Sequence, residues 1–209
     1  MQYNFICIEG NIGVGKTSLA EKIAADCNAR LVLEKFANNP FLPKFYKEPT
    51  KYAFPLELFF LAERYKQIKQ LREQDIFLDF TVSDYSFIKS WLFAQNNLME
   101  DELQLFYGLF DIMFSNLPKP SLLIYLHADI QCLQKNIKRR NRTYEQDIAD
   151  CYLLKIQKKY LDFFKKQNDF PVLIIDVTNA DFVQNDLVYQ KIFSAIKKSY
   201  PIGLHYLSL

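Results

Sequence analysis

The chain has 209 residues, half of them apolar, which is enough for one buried core, so we expect a single domain over residues 1–209. Its 26 basic and 24 acidic residues give a net charge of +2, which argues against a dedicated nucleic-acid surface. No apolar run reaches the roughly 20 residues of a membrane span, and the N-terminus lacks a signal-peptide pattern, so no membrane partner is expected. The four cysteines lack metal-ligand spacing and indicate a reducing, cytoplasmic setting.

Near-continuous apolar segments alternate with helical patterns along the chain. Strands are predicted at residues 4–9, 31–36, 76–83, 121–127 and 172–177. Helices are predicted at residues 17–27, 55–73, 130–140, 145–166 and 185–199, with two more within residues 86–117. Residues 37–51, which contain three prolines, are predicted as one long connection. This order predicts an α/β fold with a doubly wound sheet of about five parallel strands and helices on both faces.

A glycine-rich segment stands between the first predicted strand and the first predicted helix. Residues 10–17 read GNIGVGKT, the G-x-x-x-x-G-K-[ST] pattern of a phosphate-binding loop. Glycines let the backbone N–H groups point at a phosphate at the start of a helix, the lysine reaches the β- and γ-phosphates, and the threonine hydroxyl ligates Mg²⁺. We therefore predict a nucleoside triphosphate site formed by Gly10, Asn11, Ile12, Gly13, Val14, Gly15, Lys16, Thr17 and Ser18.

Ligands of an open parallel sheet gather beyond the carboxyl ends of its strands. Glu34, Asp84 and residues 138–142 and 176–182 follow predicted strands or their helices and are therefore candidates for the same site. The sequence lacks the base-selecting N-K-x-D of GTPase switches, and it is short for a motor ATPase. Its length instead suits a kinase of nucleotides or nucleosides.

Four segments, in order and over nearly the whole chain, resemble the deoxynucleoside kinase family in its bacterial deoxycytidine, deoxyguanosine and deoxyadenosine kinase-like type. Residues 8–17 are similar to the family's I-E-G-N-I-G-x-G-K-[ST]. Tyr46, Pro49, Phe54 and Glu57 resemble its Tyr-x-x-Pro…Phe-x-x-Gln block. Residues 137–145, IKRRNRTYE, resemble its lid, and residues 176–182, DVTNADF, are similar to its loop that contacts the ATP adenine.

The resemblance implies a P-loop kinase that transfers the γ-phosphate of ATP to the 5′-hydroxyl of a deoxyribonucleoside in nucleotide salvage. Glu34 matches the family's catalytic glutamate, which accepts the proton of that hydroxyl. Asp84 matches the carboxylate of the [DE]-R-S motif and would hold the Mg²⁺ shell together with Thr17. Arg140 and Arg142 lie in a short lid, at about residues 138–146, that would bind phosphates and exclude water.

Simpler structural interpretations of these residues stay open. Glu34 suits a solvated carboxylate at a strand end, and Asp84 suits the N-cap of the helix that follows it. Arg140 and Arg142 suit a solvated helix C-terminus, where cations complement the helix dipole.

The resemblance also assigns residues to the binding of the nucleoside and of the adenine of ATP. Tyr46 and Glu145 match groups that touch the sugar 3′-hydroxyl, and Arg64 matches a base-site arginine. Phe54 could stack on the base, although core packing explains it equally well in a chain that is 16% aromatic. The loop that contacts adenine is matched by Asn179, Ala180, Asp181 and Phe182.

Several positions depart from the family pattern, and one of them is Asn141, which stands where the family's lid has glycine; asparagine tolerates left-handed backbone angles better than most residues. Residues 84–86 read DYS, so the motif arginine is missing, and Lys89, about one helical turn further on, is predicted to replace it. Glu57 stands where the family has its base-reading glutamine. An ionised glutamate only accepts hydrogen bonds, which suits guanine N1–H and N2–H₂ and weakly favours purines, whereas a protonated one would readmit adenine. The alternative for Glu57 is a pair with a cation such as Arg64.

Two other functions remain as alternatives. A nucleoside monophosphate kinase resembling thymidylate kinase would need a cationic pocket for an acceptor phosphate. A non-catalytic nucleotide-binding switch would tolerate Glu34→Gln without loss of function. Members of the resembled family are mostly homodimers, so the resemblance also implies a homodimer.

Overall fold

The computed structural model describes residues 2–35, 39–72 and 80–209. Within these ranges the chain forms six strands: β1 (Phe5–Gly10), β2 (Arg30–Val32), β3 (Thr81–Ser83), β4 (Leu122–His127), β5 (Pro171–Asp176) and β6 (Gly203–Ser208). They form one sheet in the order β2-β3-β1-β4-β5-β6, and every recorded pairing is parallel. The α/β class and the parallel sheet predicted from the sequence are confirmed.

Helices connect the strands. They are α1 (Lys16–Cys27), α2 (Leu42–Lys47), α3 (Pro49–Lys69), α4 (Ile88–Asn97), α5 (Glu100–Phe114), α6 (Ile130–Arg140), α7 (Asp150–Phe164) and α8 (Asp186–Ile196). Short 3₁₀ turns span Gln70–Arg72 and Thr143–Glu145. In the described ranges no helix is both long and apolar enough to cross a bilayer.

Alternate residues of the central strands feed two separate cores. Ile6 and Ile8 of β1 belong to a cluster that includes residues of α1, α6 and α8. Phe5 and Cys7 belong to a second cluster, with residues of α4 and α7. Because successive strand residues point to opposite faces, the sheet is covered by helices on both sides. This confirms the doubly wound arrangement.

The strand order positions the site. The chain leaves β1 at Gly10 and enters α1 at Lys16, with β3 on one side of β1 and β4 on the other. The crossover direction reverses here, so this is the topological switch point where open α/β sheets bind ligands. Val32 of β2 pairs with Ser83 of β3, which brings the segments that follow these two strands together.

Some predicted boundaries were wrong. The strand count of about five omitted β6, and the predicted long connection at residues 37–51 contains α2 and the start of α3. Helix α3 begins at Pro49 rather than residue 55, because Pro49 takes the first turn and Pro55 lies inside the helix. Helix α7 begins at Asp150, after the 3₁₀ turn, rather than at residue 145. Four predictions fall partly outside the described residues. They are the strand at 31–36 (residue 36), the connection at 37–51 (residues 37 and 38), the helix at 55–73 (residue 73) and the strand at 76–83 (residues 76–79).

Candidate active site

The phosphate-binding loop packs so closely that its glycines cannot be replaced without movement. Gly15 has φ 99°, and a Cβ there would lie 2.8 Å from the Phe182 ring. Gly13 has φ 85°, and a Cβ there would lie 2.9 Å from the Leu133 carbonyl oxygen. These positive φ values suit glycine, so the predicted backbone geometry of the loop is present.

Lys16 folds back across this loop. Its Nζ donates to the carbonyl oxygens of Gly10 at 3.0 Å and Asn11 at 2.9 Å. Burial, followed by repulsion from Lys89, lowers the pKa of Lys16 to about 8. The ammonium group therefore remains mostly charged at neutral pH and lies where an incoming phosphate could attract it.

One cleft of about 890 Å³ unites the predicted phosphate, catalytic, lid and adenine segments. Its lining comprises Gly13, Val14, Gly15, Lys16, Thr17, Ser18, Leu33, Glu34, Asp84, Cys132, Lys135, Asn136, Arg139, Arg140, Arg142, Val177, Thr178, Asn179, Ala180, Asp181, Phe182 and Val183. Gly10, Asn11 and Ile12 form the start of the same loop beneath it, and Asn11 is anchored through a hydrogen bond to the Leu153 carbonyl. Glu34 and the phosphate loop thus face a common space.

Asp84 joins the phosphate loop to the Glu34 segment. Its Oδ2 accepts from the Thr17 hydroxyl at 2.6 Å, and its Oδ1 accepts from the backbone N–H of Glu34 at 2.7 Å. The N-cap interpretation of Asp84 is wrong, because α4 begins at Ile88 and its N-cap is Phe87. A hydroxyl beside one carboxylate suits Mg²⁺, which takes few protein ligands and keeps several waters.

Glu34 is held by two cations rather than by solvent. Its Oε1 lies 2.7 Å from an Arg64 guanidinium nitrogen, and its Oε2 lies 2.6 Å from Lys89 Nζ. All three side chains are at least largely buried. Burial alone would raise the pKa of Glu34, but Lys89 and Arg64 together lower it to about 2. The interpretation of Glu34 as a solvated strand-end carboxylate is therefore wrong.

Glu57 has one satisfied and one unsatisfied oxygen. The residue is 1% exposed, its Oε1 accepts from Asn97 Nδ2 at 2.7 Å, and its Oε2 has no hydrogen-bond partner among the described residues. Arg64 instead bonds to Glu34 and to the Ser90 hydroxyl, so the predicted alternative of a Glu57–Arg64 pair is not the arrangement found. Burial raises the pKa of Glu57 to about 7.

The lid arginines meet on one carboxylate. Arg140 pairs with Glu145 Oε2, and Arg142 lies 3.2 Å from Glu145 Oε1. Between them Asn141 ends α6 with φ 56°, the left-handed conformation that its position in place of the family's glycine requires. Arg140 also belongs to the last turn of α6, so both interpretations of it, lid residue and helix-end cation, describe the same geometry.

The two remaining nucleoside candidates lie on different clusters. Tyr46 stacks on Tyr144 with ring centroids 6.2 Å apart, next to the lid, and burial raises its pKa well above the usual range. Phe54 packs against the cluster formed by α3, α4 and α5. Its role in base stacking stays a prediction.

Three contacting residues were not identified from the sequence. Asn97 bonds to Glu57 across 40 positions of the chain. Lys22 donates to the carbonyl oxygens of Phe182 at 3.1 Å and Val183 at 3.3 Å, which ties α1 to the predicted adenine loop. Nothing in the sequence pointed to these two residues, whereas the third belongs to a recognised motif.

That third residue is Glu9, which precedes the phosphate loop within the recognised IEG motif. Its Oε1 accepts from the backbone N–H of Ser86 at 2.7 Å and from its hydroxyl at 2.8 Å, and its Oε2 accepts from the Tyr160 hydroxyl at 2.7 Å. This fully buried carboxylate fixes the turn that carries Asp84.

Comparisons with known proteins agree with this geometry. The deoxynucleoside kinase family model matches residues 6–200. A deoxyguanosine kinase of Bacillus subtilis is 32% identical over 93% of this chain and 96% of its own, and a deoxyadenosine kinase of Lactobacillus acidophilus is 31% identical over 86% and 88%. The solved structure of deoxyadenosine kinase from M. mycoides, with the products dCMP and a flexible dCDP bound, superposes with a TM-score of 0.75 and 26% identity over 91% of this chain and 99% of that one.

The family match covers almost the full length of the chain, and the phosphate loop, the cleft and the sheet order are all present. The chain therefore belongs to the deoxynucleoside kinase family and is an ATP-dependent deoxynucleoside kinase.

Proposed function

We propose that this kinase phosphorylates the 5′-hydroxyl of purine deoxyribonucleosides, with Glu34 as the base and Mg²⁺ as the metal. The observation that carries the proposal is that the Glu34 carboxylate lines the same cleft as the phosphate loop. An alcohol held between them would have its proton acceptor on one side and the γ-phosphate on the other. Phosphoryl transfer depends mainly on such positioning and on cations around the migrating group.

Lys89 takes the part of the missing motif arginine. It approaches Glu34 to 2.6 Å from the first turn of α4, so it can hold the carboxylate ionised and neutralise charge near the acceptor oxygen. Thr17 and Asp84 would hold Mg²⁺, which neutralises phosphate charge when bound. Arg140 and Arg142 would exchange Glu145 for phosphate oxygens when the lid closes.

The purine preference rests on Glu57 and on the relatives. The B. subtilis relative is a deoxyguanosine kinase and the L. acidophilus relative is a deoxyadenosine kinase, and both are over 30% identical to this chain. Glu57 offers an unpaired carboxyl oxygen that suits the N–H groups of guanine. Tyr46, Glu145 and Arg64 complete the nucleoside site in this proposal.

We also propose a cytoplasmic homodimer. Leu105, Leu109 and Ile112 recur at helical spacing on α5 and are 59%, 37% and 69% exposed. Such an apolar stripe on one helix suits a self-complementary interface between two copies of the chain. The four described cysteines are free thiols, as expected for a reducing compartment.

The two alternatives receive less support. A monophosphate kinase needs a cation for the acceptor phosphate, but Arg64 is already engaged by Glu34 and Ser90.

A panel of the eight common nucleosides and their monophosphates, with ATP and Mg²⁺, separates these functions. We expect turnover with deoxyguanosine and deoxyadenosine, and a fall of at least about a hundredfold in kcat for Glu34→Gln. Phosphorylation of pyrimidine nucleosides alone would contradict the purine assignment.

A further inference from the structure

The carboxyl group of Glu57 is incompletely satisfied inside the protein. It lies in the middle of α3, its Oε1 accepts from Asn97 at 2.7 Å, and its Oε2 is buried with no hydrogen-bond partner among the described residues. A buried oxygen without a donor is costly. Two things relieve that cost: a proton on Oε2, or a ligand N–H that donates to it.

Several charged or titratable groups face Glu57 from the surrounding elements. Arg64 on α3 and Lys89 on α4 favour the ionised carboxylate, whereas Glu34 after β2 opposes it. Tyr152 of α7 is a further neighbour, and burial raises its pKa well above the usual range. Both cations are already paired with Glu34, so neither forms an ion pair with Glu57. Within this set, the negative charge of an ionised Glu57 is therefore not balanced by a cation paired with it.

We propose that the protonation state of Glu57 selects the base, so that the ionised form accepts deoxyguanosine and the protonated form accepts deoxyadenosine. The ionised carboxylate presents two acceptors, which match guanine N1–H and N2–H₂. The acid presents a donor on Oε2 and an acceptor on Oε1, which match adenine N1 and N6–H₂. Asn97 is a positioning residue, because its hydrogen bond to Oε1 directs the proton to Oε2. The inference rests on the proposed purine specificity.

The pKa of Glu57 near 7 puts this exchange within the physiological range. The ionised fraction then rises from about a tenth at about pH 6 to about nine tenths at about pH 8. The ratio of kcat/KM for deoxyguanosine to that for deoxyadenosine is expected to rise at least about tenfold across this interval. Lys16 also titrates near this range, but it acts on the shared ATP and cancels from the ratio.

The test measures this ratio from about pH 6 to about pH 8.5 in the wild type and in two variants. Glu57→Gln presents a donor and an acceptor at every pH, so its ratio should be flat and should favour deoxyadenosine. Asn97→Ala removes a donor to the carboxylate, so its midpoint should move to higher pH. Far-UV circular dichroism of both variants reports separately whether they fold.

The outcomes separate the two proposals. A wild-type ratio that does not change with pH, or a Glu57→Gln ratio that follows the wild type, overturns the selection by Glu57 and leaves purine kinase activity intact. The absence of purine turnover in the wild type overturns the proposed function itself. Infrared difference spectra of Glu57→Gln against wild type give an independent measure, because a protonated carboxyl band must disappear with the glutamate.

Discussion

Replacing Lys89 with methionine tests the cluster around Glu34. The Lys89–Glu34 pair is 2.6 Å long, and the two side chains are only 8% and 13% exposed. At an effective dielectric constant of about 20 this separation corresponds to an attraction of about 6 kcal/mol, from which the recovered desolvation of the lysine must be subtracted. Breaking buried pairs typically costs about 3–5 kcal/mol, and Arg64 still holds Glu34, so we expect Lys89→Met to lower the free energy of unfolding by about 3 kcal/mol.

The same change should reduce turnover. Loss of one preorganised cation beside the reacting groups typically costs about 3 kcal/mol of transition-state stabilisation, so kcat should fall by about a hundredfold or more. The pKa of Glu34 should rise from about 2 towards its usual range when Lys89 is removed, which brings an acidic limb into the kcat profile. The free energy of unfolding is measured by urea denaturation. The kcat and its pH profile are measured by steady-state kinetics with deoxyguanosine and ATP.

A matched control exists on the surface. Lys119 pairs with Asp169 at 2.9 Å, but these side chains are 52% and 46% exposed. Lys119→Met should change stability by less than about 1 kcal/mol and leave kcat unchanged. A folded Lys89→Met protein with kcat within about threefold of the wild type would refute the assignment of Lys89 in place of the motif arginine.

Three further outcomes are expected. Lys22→Met should raise the KM for ATP about tenfold and leave the KM for the nucleoside unchanged in steady-state kinetics, because Lys22 donates to the carbonyls of the predicted adenine loop, besides lying over the Tyr189 ring; equal changes in both constants would contradict this role. Leu105→Glu combined with Ile112→Glu should convert a dimer to a monomer in analytical ultracentrifugation, and an unchanged sedimentation coefficient would exclude α5 as the interface. Glu34 has a lowered pKa, so its stabilisation is present above about pH 4.5 and is lost towards about pH 2. The stability difference between wild type and Glu34→Gln should therefore shrink over that interval in urea denaturation, whereas a constant difference would mean that Glu34 is not held by cations.

Local patterns were sufficient for most of the fold. The central strands are buried on both faces, so they read as continuous apolar runs, and the phosphate loop has a fixed spacing. Strand β6 was missed because it lies at the sheet edge, where half-buried His205 and exposed Tyr206 interrupt the apolar pattern. Helix α2 has only six residues, with Pro43 in its first turn, which is too short for helical periodicity to be detected.

The contacts of the site were harder to predict because they join distant positions. Glu34 meets Arg64 and Lys89 across 30 and 55 residues, and no local pattern encodes such pairs. Lys89 was identified only through the missing arginine of its motif. Asn97 replaces no missing motif residue, so nothing in the sequence linked it to Glu57.

The candidate site holds its cations in two different ways. Arg64 and Lys89 are 3% and 8% exposed and are paired with Glu34, so separating them from it would leave a buried charge uncompensated. Arg140 and Arg142 are 34% and 27% exposed and share Glu145, so they can exchange that carboxylate for phosphate at a smaller cost. In the proposed mechanism the buried pair of cations therefore stays with Glu34, while the lid arginines would follow the triphosphate.

Under the proposed assignment of Glu34 as the base, this division explains how a carboxylate with a pKa near 2 can serve in that role. Such a weak base cannot remove the proton of an alcohol before the phosphoryl group moves. In a loose transition state, however, the attacking oxygen has formed little bond, and its proton becomes acidic only as that bond completes. The two buried cations then act by keeping Glu34 ionised and fixed in direction until the late moment when the proton is released. Strong basicity is unnecessary in this arrangement, whereas a fixed position is required.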